Sequence, residues 1–424
     1  MKERYVSILT LFIISLLVLC GCTTNETNKN EAEKENETVS DECGNDVGNG
    51  FEIITGPDID AFEGDVDNPF RSLSVHPTDP DTILVGTEGN GFLKSTDGGN
   101  SWERLRLGLR HSELGYPEIY DISWSQSNPE IIYAATTNGP GPVTGSIGSD
   151  AGIYKSTDGG QTWVRKNCNI PCSAILSVYV DSIDEDHVFV GVEDGKSTRT
   201  GTYFSGGMYE TTDGGERWEL VELGPLDYQN TYVLFRCSKD EGTLITYGLD
   251  SRYDKYSTDD IGFLKSNDSG FIWEEFAPEL KSIGVSFFDI SSDGSKIYVV
   301  AEGVFYISTD AGVSWTNKDM HTGALYFVSV SPADKNRVLF GKDADLYLSK
   351  DGLDTFEKVI EIERTGSIHF ADIVFAPSSP NIVYAITTGD YPSTPGYNLY
   401  RSNNSGDSFT KIVNLRTDVL NVIP

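Results

Sequence analysis

Three aspartates share one kind of context: Asp121 in YDISW, Asp289 in FDISS and Asp372 in ADIVF. Each is an acid inside a short, alternating apolar run, the pattern of a half-buried strand. Carboxylates gathered from three strands would hold a cation or hand on protons. An aspartate at such a place also serves to cap a neighbouring connection, and the residues alone leave both readings open. Cys168 and Cys172 lie close together in KNCNIPCSA, a spacing that suits a small disulfide loop in an exported chain. No second Cys or His pair has matching spacing for a metal. The five histidines (His76, His111, His187, His321, His369) are scattered, so no metal and no other cofactor is implied. Cys237 in VLFRCS reads as a buried apolar thiol.

The elements that must position these groups announce themselves by repetition. STDGGNSW (Ser95 to Trp102) returns as STDGGQTW from Ser156, TTDGGERW from Thr211, SNDSGFIW from Ser266 and STDAGVSW from Ser308. Two weaker copies, SKDGLDTF from Ser349 and SNNSGDSF from Ser402, complete a set of seven. In the first unit RSLSV, ILVGT, GFLKS and WERLRL read as four short strands, called A to D. The cassette is then the C–D hairpin turn. Apolar strand-B runs recur from Ile131, Val188, Leu244, Ile297, Val338 and Ile382. Four-stranded antiparallel units at a fixed period mean propeller blades. The fold expected is all-β: a single seven-bladed β-propeller over residues 51–424, with a cassette in each C–D hairpin.

The cassette chemistry is that of a tight turn. An Asp accepts from backbone N–H groups a few residues on, Gly supplies positive φ, and Ser or Thr adds a local bond. Asp97, Asp158, Asp213, Asp268, Asp310 and Asp351 are therefore expected to be structural. Seven copies around a ring cannot all be one active site. Ser-x-Asp-x-Gly-x-x-Trp resembles the Asp-box of the bacterial neuraminidase repeat. The longer pattern DPDTILVGTEGNGFLKSTDGGNSW is similar to propellers of the sortilin type, to xyloglucanases and to photosystem II assembly factors. The resemblance covers residues 70 to about 412 and implies fold far more than function.

Enzymes of that kind set the alternative. Sialidases carry a Phe-Arg-Ile-Pro motif; here Phe70-Arg71 matches and Ser72-Leu73 departs from it. Xyloglucanases place their carboxylates between two propellers, and this chain has one. The long B–C loops from Thr137, Glu193, Leu249 and Thr388 share the face opposite the cassettes. Their Tyr, Ser, Gly and Asn content suits an adaptable recognition surface, with Tyr203, Tyr253, Tyr256, Tyr391 and Tyr397 as candidate contacts. The function expected is a non-catalytic module binding an extracellular or cell-surface protein or glycan. The alternative is a glycoside hydrolase, sialidase- or xyloglucanase-like, with carboxylates on the loop face.

Charge and the N-terminus bound the partners. A net charge of −33 argues against nucleic acid and favours a soluble, monomeric domain. Lys2 and Arg4 precede an apolar run from Val6 to Leu19, too short for a comfortable span and suited to a signal-peptide core. Leu19-Cys20-Gly21-Cys22 resembles the lipobox of prokaryotic lipoproteins. That resemblance implies a signal peptide over 1–21, a lipid on Cys22 and display on the outer face or in the periplasm. The lipid would be the membrane contact. Residues 22–50 are polar and acidic, a composition that reads as a tether. It carries N-E-T at Asn25 and Asn36, two possible glycosylation acceptors.

Overall fold

A computed structural model describes residues 52–53 and 70–420, less 112–115, 138–150, 168, 171–173, 194, 197–202, 205, 224–230, 239–242, 250–261, 282, 321–322, 363–367 and 390–395. Cys22, Cys168, Cys172 and the tether lie outside the described residues.

The described chain folds as seven four-stranded antiparallel sheets, each drawn from one contiguous stretch of sequence. Blade 1 comprises Phe70–Val75, Ile83–Thr87, Phe92–Ser95 and Glu103–Leu105. The A strands of the others are Glu118–Trp124, Ile175–Val180, Thr231–Cys237, Val285–Ile290, Leu325–Ser331 and His369–Phe375. The B strands are built on apolar runs buried on both faces, as Ile83–Thr87, Val188–Val192 and Ile297–Ala301 show. That pattern belongs to the middle of a blade sandwiched between two others. The ring closes by packing rather than by a shared sheet. Leu73, Val85 and Leu93 of blade 1 form one core with Tyr384, Leu399 and Leu415 of blade 7. Arg401 of blade 7 also pairs with Asp81 of blade 1 at 2.5 Å.

The cassettes show one geometry seven times. In the first, Ser95 Oγ donates to Asp97 Oδ1 at 2.9 Å and accepts from Gly99 N at 2.8 Å. Ser101 N then donates to Asp97 Oδ1 at 2.8 Å. The weaker sixth copy keeps the scheme although Leu353 stands where Gly99 stands in the first. Leu353 holds φ at 76° and its N–H still reaches Ser349 Oγ at 2.8 Å. Its side chain is fully buried, and that packing offsets the strain of a left-handed leucine.

The cassette does more than hold its own turn where its tryptophan packs on the preceding blade. Trp163 of blade 2 stacks on Phe92 of blade 1 at 4.2 Å, and Trp273 of blade 4 meets Phe189 of blade 3 edge-on at 5.8 Å. The cassette is thus both a hairpin and a peg between blades.

Candidate functional site

Strand A of every blade lines the central channel, and its start lies on the loop face because the A–B turn lies on the cassette face. Within the channel is a cavity of about 310 Å³ lined by Asp121, Arg236, Asp289, Asp372, Phe287 and neighbouring strand-A residues. The three aspartates singled out from sequence therefore do come together. They are not equivalent, as the sequence contexts had suggested. Asp121 pairs across its blade with Ala135 and Asp372 with Ile386, the same rung of the ladder. Asp289 pairs with Tyr298, a rung two residues further along, where blade 2 has Ser123 opposite Tyr133. Because side chains alternate, a two-residue shift keeps the carboxylate on the channel side.

Each aspartate bridges two blades. Asp121 Oδ1 accepts from Ile122 N at 2.9 Å, and its Oδ2 from Val178 N of blade 3 at 3.0 Å. Asp289 accepts from Ile290 N at 2.9 Å and from Val330 N of blade 6 at 2.7 Å. Asp372 accepts from Ile373 N at 2.8 Å and from Leu73 N of blade 1 at 3.0 Å. The last bond joins the first blade to the seventh. Ser123 plays a similar part, accepting from Val180 N at 3.2 Å.

Arg236 is the residue that sequence reasoning missed. Its Nε lies 3.5 Å from Asp289 Oδ1, and its guanidinium sits over the Phe287 ring at 5.0 Å. The signal was present: it is the charged residue in an otherwise uncharged strand, TYVLFRC, and it pairs with Ile245 on the same rung as Asp289. Burial raises all three carboxyls above the usual range, while backbone N–H groups and Arg236 oppose the rise. Asp372 is pushed up to about 7.

Toward the loop face the channel becomes aromatic. Tyr120 and Tyr326 are exposed, His369 stacks on Tyr326 at 5.3 Å, and Phe287 meets Phe327 at 4.4 Å. Among the predicted loop contacts, Tyr253, Tyr256 and Tyr391 lie outside the described residues. Tyr203 falls in a two-residue strand, Tyr203–Phe204, whose side chains are likewise outside them. Tyr397 is corrected: it is 2% exposed, and its hydroxyl donates to Gly389 O at 3.1 Å. The apolar contact around that ring outweighs a place in solvent, so it is a core residue at a loop base. Among the described residues no group of three or more His, Cys, Asp or Glu is arranged to hold a metal.

The chain matches no family profile. A probable oligoxyloglucan-reducing end-specific xyloglucanase of Neosartorya fischeri is 25% identical over 178 residues, 39% of this chain. The counterpart from Emericella nidulans is 25% identical over 179 residues. The chain spans 19% of the length of either relative. Among solved structures, YCF48 from Cyanidioschyzon merolae aligns at TM-score 0.54 and 16% identity, over 80% of this chain and 97% of that one. YCF48 bound to D1 peptide aligns at 0.54 and 15%, over 84% and 97%. An ancestral GH74 enzyme aligns at 0.57 and 15%, over 81% of this chain and 46% of that one. The chain is thus a seven-bladed propeller that shares its fold with YCF48 and with GH74 enzymes.

Proposed function

We propose that the chain is a non-catalytic binding module that takes an extracellular protein segment or glycan at the loop-face mouth of its channel. The observation that carries this reading is the state of the channel carboxylates. All six oxygens of Asp121, Asp289 and Asp372 accept backbone N–H bonds, and three of those bonds hold neighbouring blades together. A general acid or base must turn an oxygen toward its substrate. These oxygens are committed to the scaffold, and what the mouth offers instead is the exposed pair Tyr120 and Tyr326. Tyrosine supplies a large, stiff, amphipathic contact for peptide or sugar. The bound peptide of the YCF48 neighbour gives this reading a parallel on the same fold. A lipid on Cys22 would hold the propeller at a membrane surface, with residues 22–50 as tether.

The second reading, a glycoside hydrolase, is favoured by the stretch of likeness to xyloglucanases and by Asp372, whose carboxyl near 7 suits a general acid. One experiment separates the two. The full-length protein is applied to peptide and xyloglucan-oligosaccharide arrays beside a panel of chromogenic glycosides. Capture that disappears in Tyr120→Ser/Tyr326→Ser supports the binding module. Turnover of any glycoside, abolished by Asp372→Asn, overturns it. Incorporation of labelled palmitate that is lost in Cys22→Ser checks the anchor.

A further inference from the structure

The four most exposed large apolar side chains among the described residues are Ile183 and Val313 at 82%, Phe271 at 73% and Ile272 at 63%. All four lie on the cassette face of three consecutive blades. Ile183 stands in the A–B turn of blade 3, Phe271 and Ile272 at the cassette tip of blade 4, and Val313 at that of blade 5. Blades 3 and 4 touch at this place: the His187 ring is 5.5 Å from that of Phe271.

The fold does not ask for these side chains. At the same tip positions the other blades carry Asn100-Ser101, Gln161-Thr162, Glu216-Arg217, Asp354-Thr355 and Asp407-Ser408. What the turn uses there is backbone: Ile272 N donates to Asp268 at 2.9 Å as Ser101 N does to Asp97. Large apolar groups left in water on one face of three consecutive blades, where polar ones would serve, mark an interaction surface. Their surroundings are acidic. Asp184, Asp186, Asp213, Glu216, Asp268 and Asp310 are all exposed on this face. Of the nearby cations, Lys155 pairs with Asp186 and Lys166 with Glu216.

We propose that this ridge docks a protein partner presenting an apolar face bordered by lysine and arginine. An apolar centre inside a charged rim is the anatomy of a non-obligate interface, and opposite charge sets the choice of partner. A second copy of the chain would set acid against acid, given its net charge of −33.

The probe is a labelled amphipathic helical peptide with leucine on one face and lysine on the other. Its binding to the full-length protein is read by fluorescence anisotropy. The variant Ile183→Thr/Phe271→Ser/Ile272→Thr/Val313→Thr keeps every charge. It is expected to bind about tenfold more weakly with an unchanged melting curve. A peptide with serine for leucine should bind native protein and variant alike. Equal binding of the amphipathic peptide to both overturns the proposal. So does self-association in sedimentation, or flotation with phosphatidylcholine vesicles, that the variant abolishes, since a second copy or a lipid is then the occupant. Should the fourfold variant melt early, Val313→Thr alone is the test, at a position that is polar in five other blades, with about threefold weakening expected.

Discussion

The cassettes and the channel use the same side chain to opposite electrostatic effect. Asp310 and Asp351, in cassettes, are held down to about 2, first by hydroxyl donation from Ser314 and Thr355 and then by those residues' backbone N–H groups. Asp372, in the channel, also accepts two backbone bonds and yet is pushed up to about 7 by burial. Donors alone therefore do not decide ionisation. A cassette carboxylate has bulk water behind it; a channel carboxylate has only the cavity, its neighbours and Arg236. The bonds also differ in span. Asp97 reaches residues three and four positions on, whereas the channel bonds join residues 57, 41 and 299 apart. One set shapes hairpins, and the other assembles the ring.

The largest effect should come from what both regions depend on, the stacking of blade on blade. Trp163→Ala empties the contact with Phe92 and should cost about 3–5 kcal/mol in urea unfolding. A loss below about 1 kcal/mol would show that the cassette rings are ornaments of their own hairpins and not pegs.

Removing a channel staple comes next. Asp372→Ala leaves Leu73 N and Ile373 N without their acceptor, at a cost of about 1–3 kcal/mol. Asp97→Ala should cost less, within about 1 kcal/mol, because water replaces the lost acceptor. Equal costs for the two would erase the distinction between ring and hairpin.

Much of this scaffold was legible from residues. Seven Ser/Thr-x-Asp/Asn-x-Gly/Leu cassettes, each followed by an aromatic, fixed blade number, strand order and hairpin type, because each cassette is a local event written in adjacent positions. The channel trio could be suspected from Asp inside an alternating run. Its two tiers were hidden by the shared Asp-Ile run, which sets Asp289 beside Asp121, whereas the ladder places Asp289 two rungs nearer the A–B turn. Arg236 was readable in type and not in partner, since its contact with Asp289 crosses between blades. Tyr397 misled for a related reason: a Gly- and Pro-rich loop hides where its base re-enters the core. The cassette-face ridge went unread because tip positions look interchangeable until exposure is known.

Titration sharpens the contrast without any mutation. The folded pKa of Asp372 lies above its unfolded value, so the native state holds that proton more tightly. Its contribution is full below about 4 and is lost as pH rises to about 7. The cassette carboxyls run the other way. Their contribution is present above about 4 and is lost as pH falls toward 2. Stability should peak in weak acid, near pH 4–5, and Arg236→Met should move the Asp372 midpoint upward, as read by carbon-detected NMR. An Asp372 midpoint near 4 would mean that the channel is as wet as the surface.

The smallest effect is already displayed by the seventh cassette. There Asn404 stands where six others have Asp, and its Oδ1 still accepts from Ser402 Oγ at 2.7 Å and from Ser408 N at 3.0 Å. Its Nδ2 donates to Ser408 Oγ at 2.9 Å, reversing the direction of the serine-to-carboxylate bond in the first copy. An amide therefore satisfies the turn by letting the hydroxyl rotate. Asp97→Asn should lower the melting temperature only slightly at pH 7, because the amide keeps the turn's bonds and loses the contribution of the charge. The depressed pKa of Asp97 means that native protein loses this contribution in acid, whereas the variant has no proton to gain there. Native protein should melt slightly later than the variant at pH 7, and the two melting curves should converge at pH 3. Coincidence at both values would mean that the cassette charge is without consequence and that the turn is held by geometry alone.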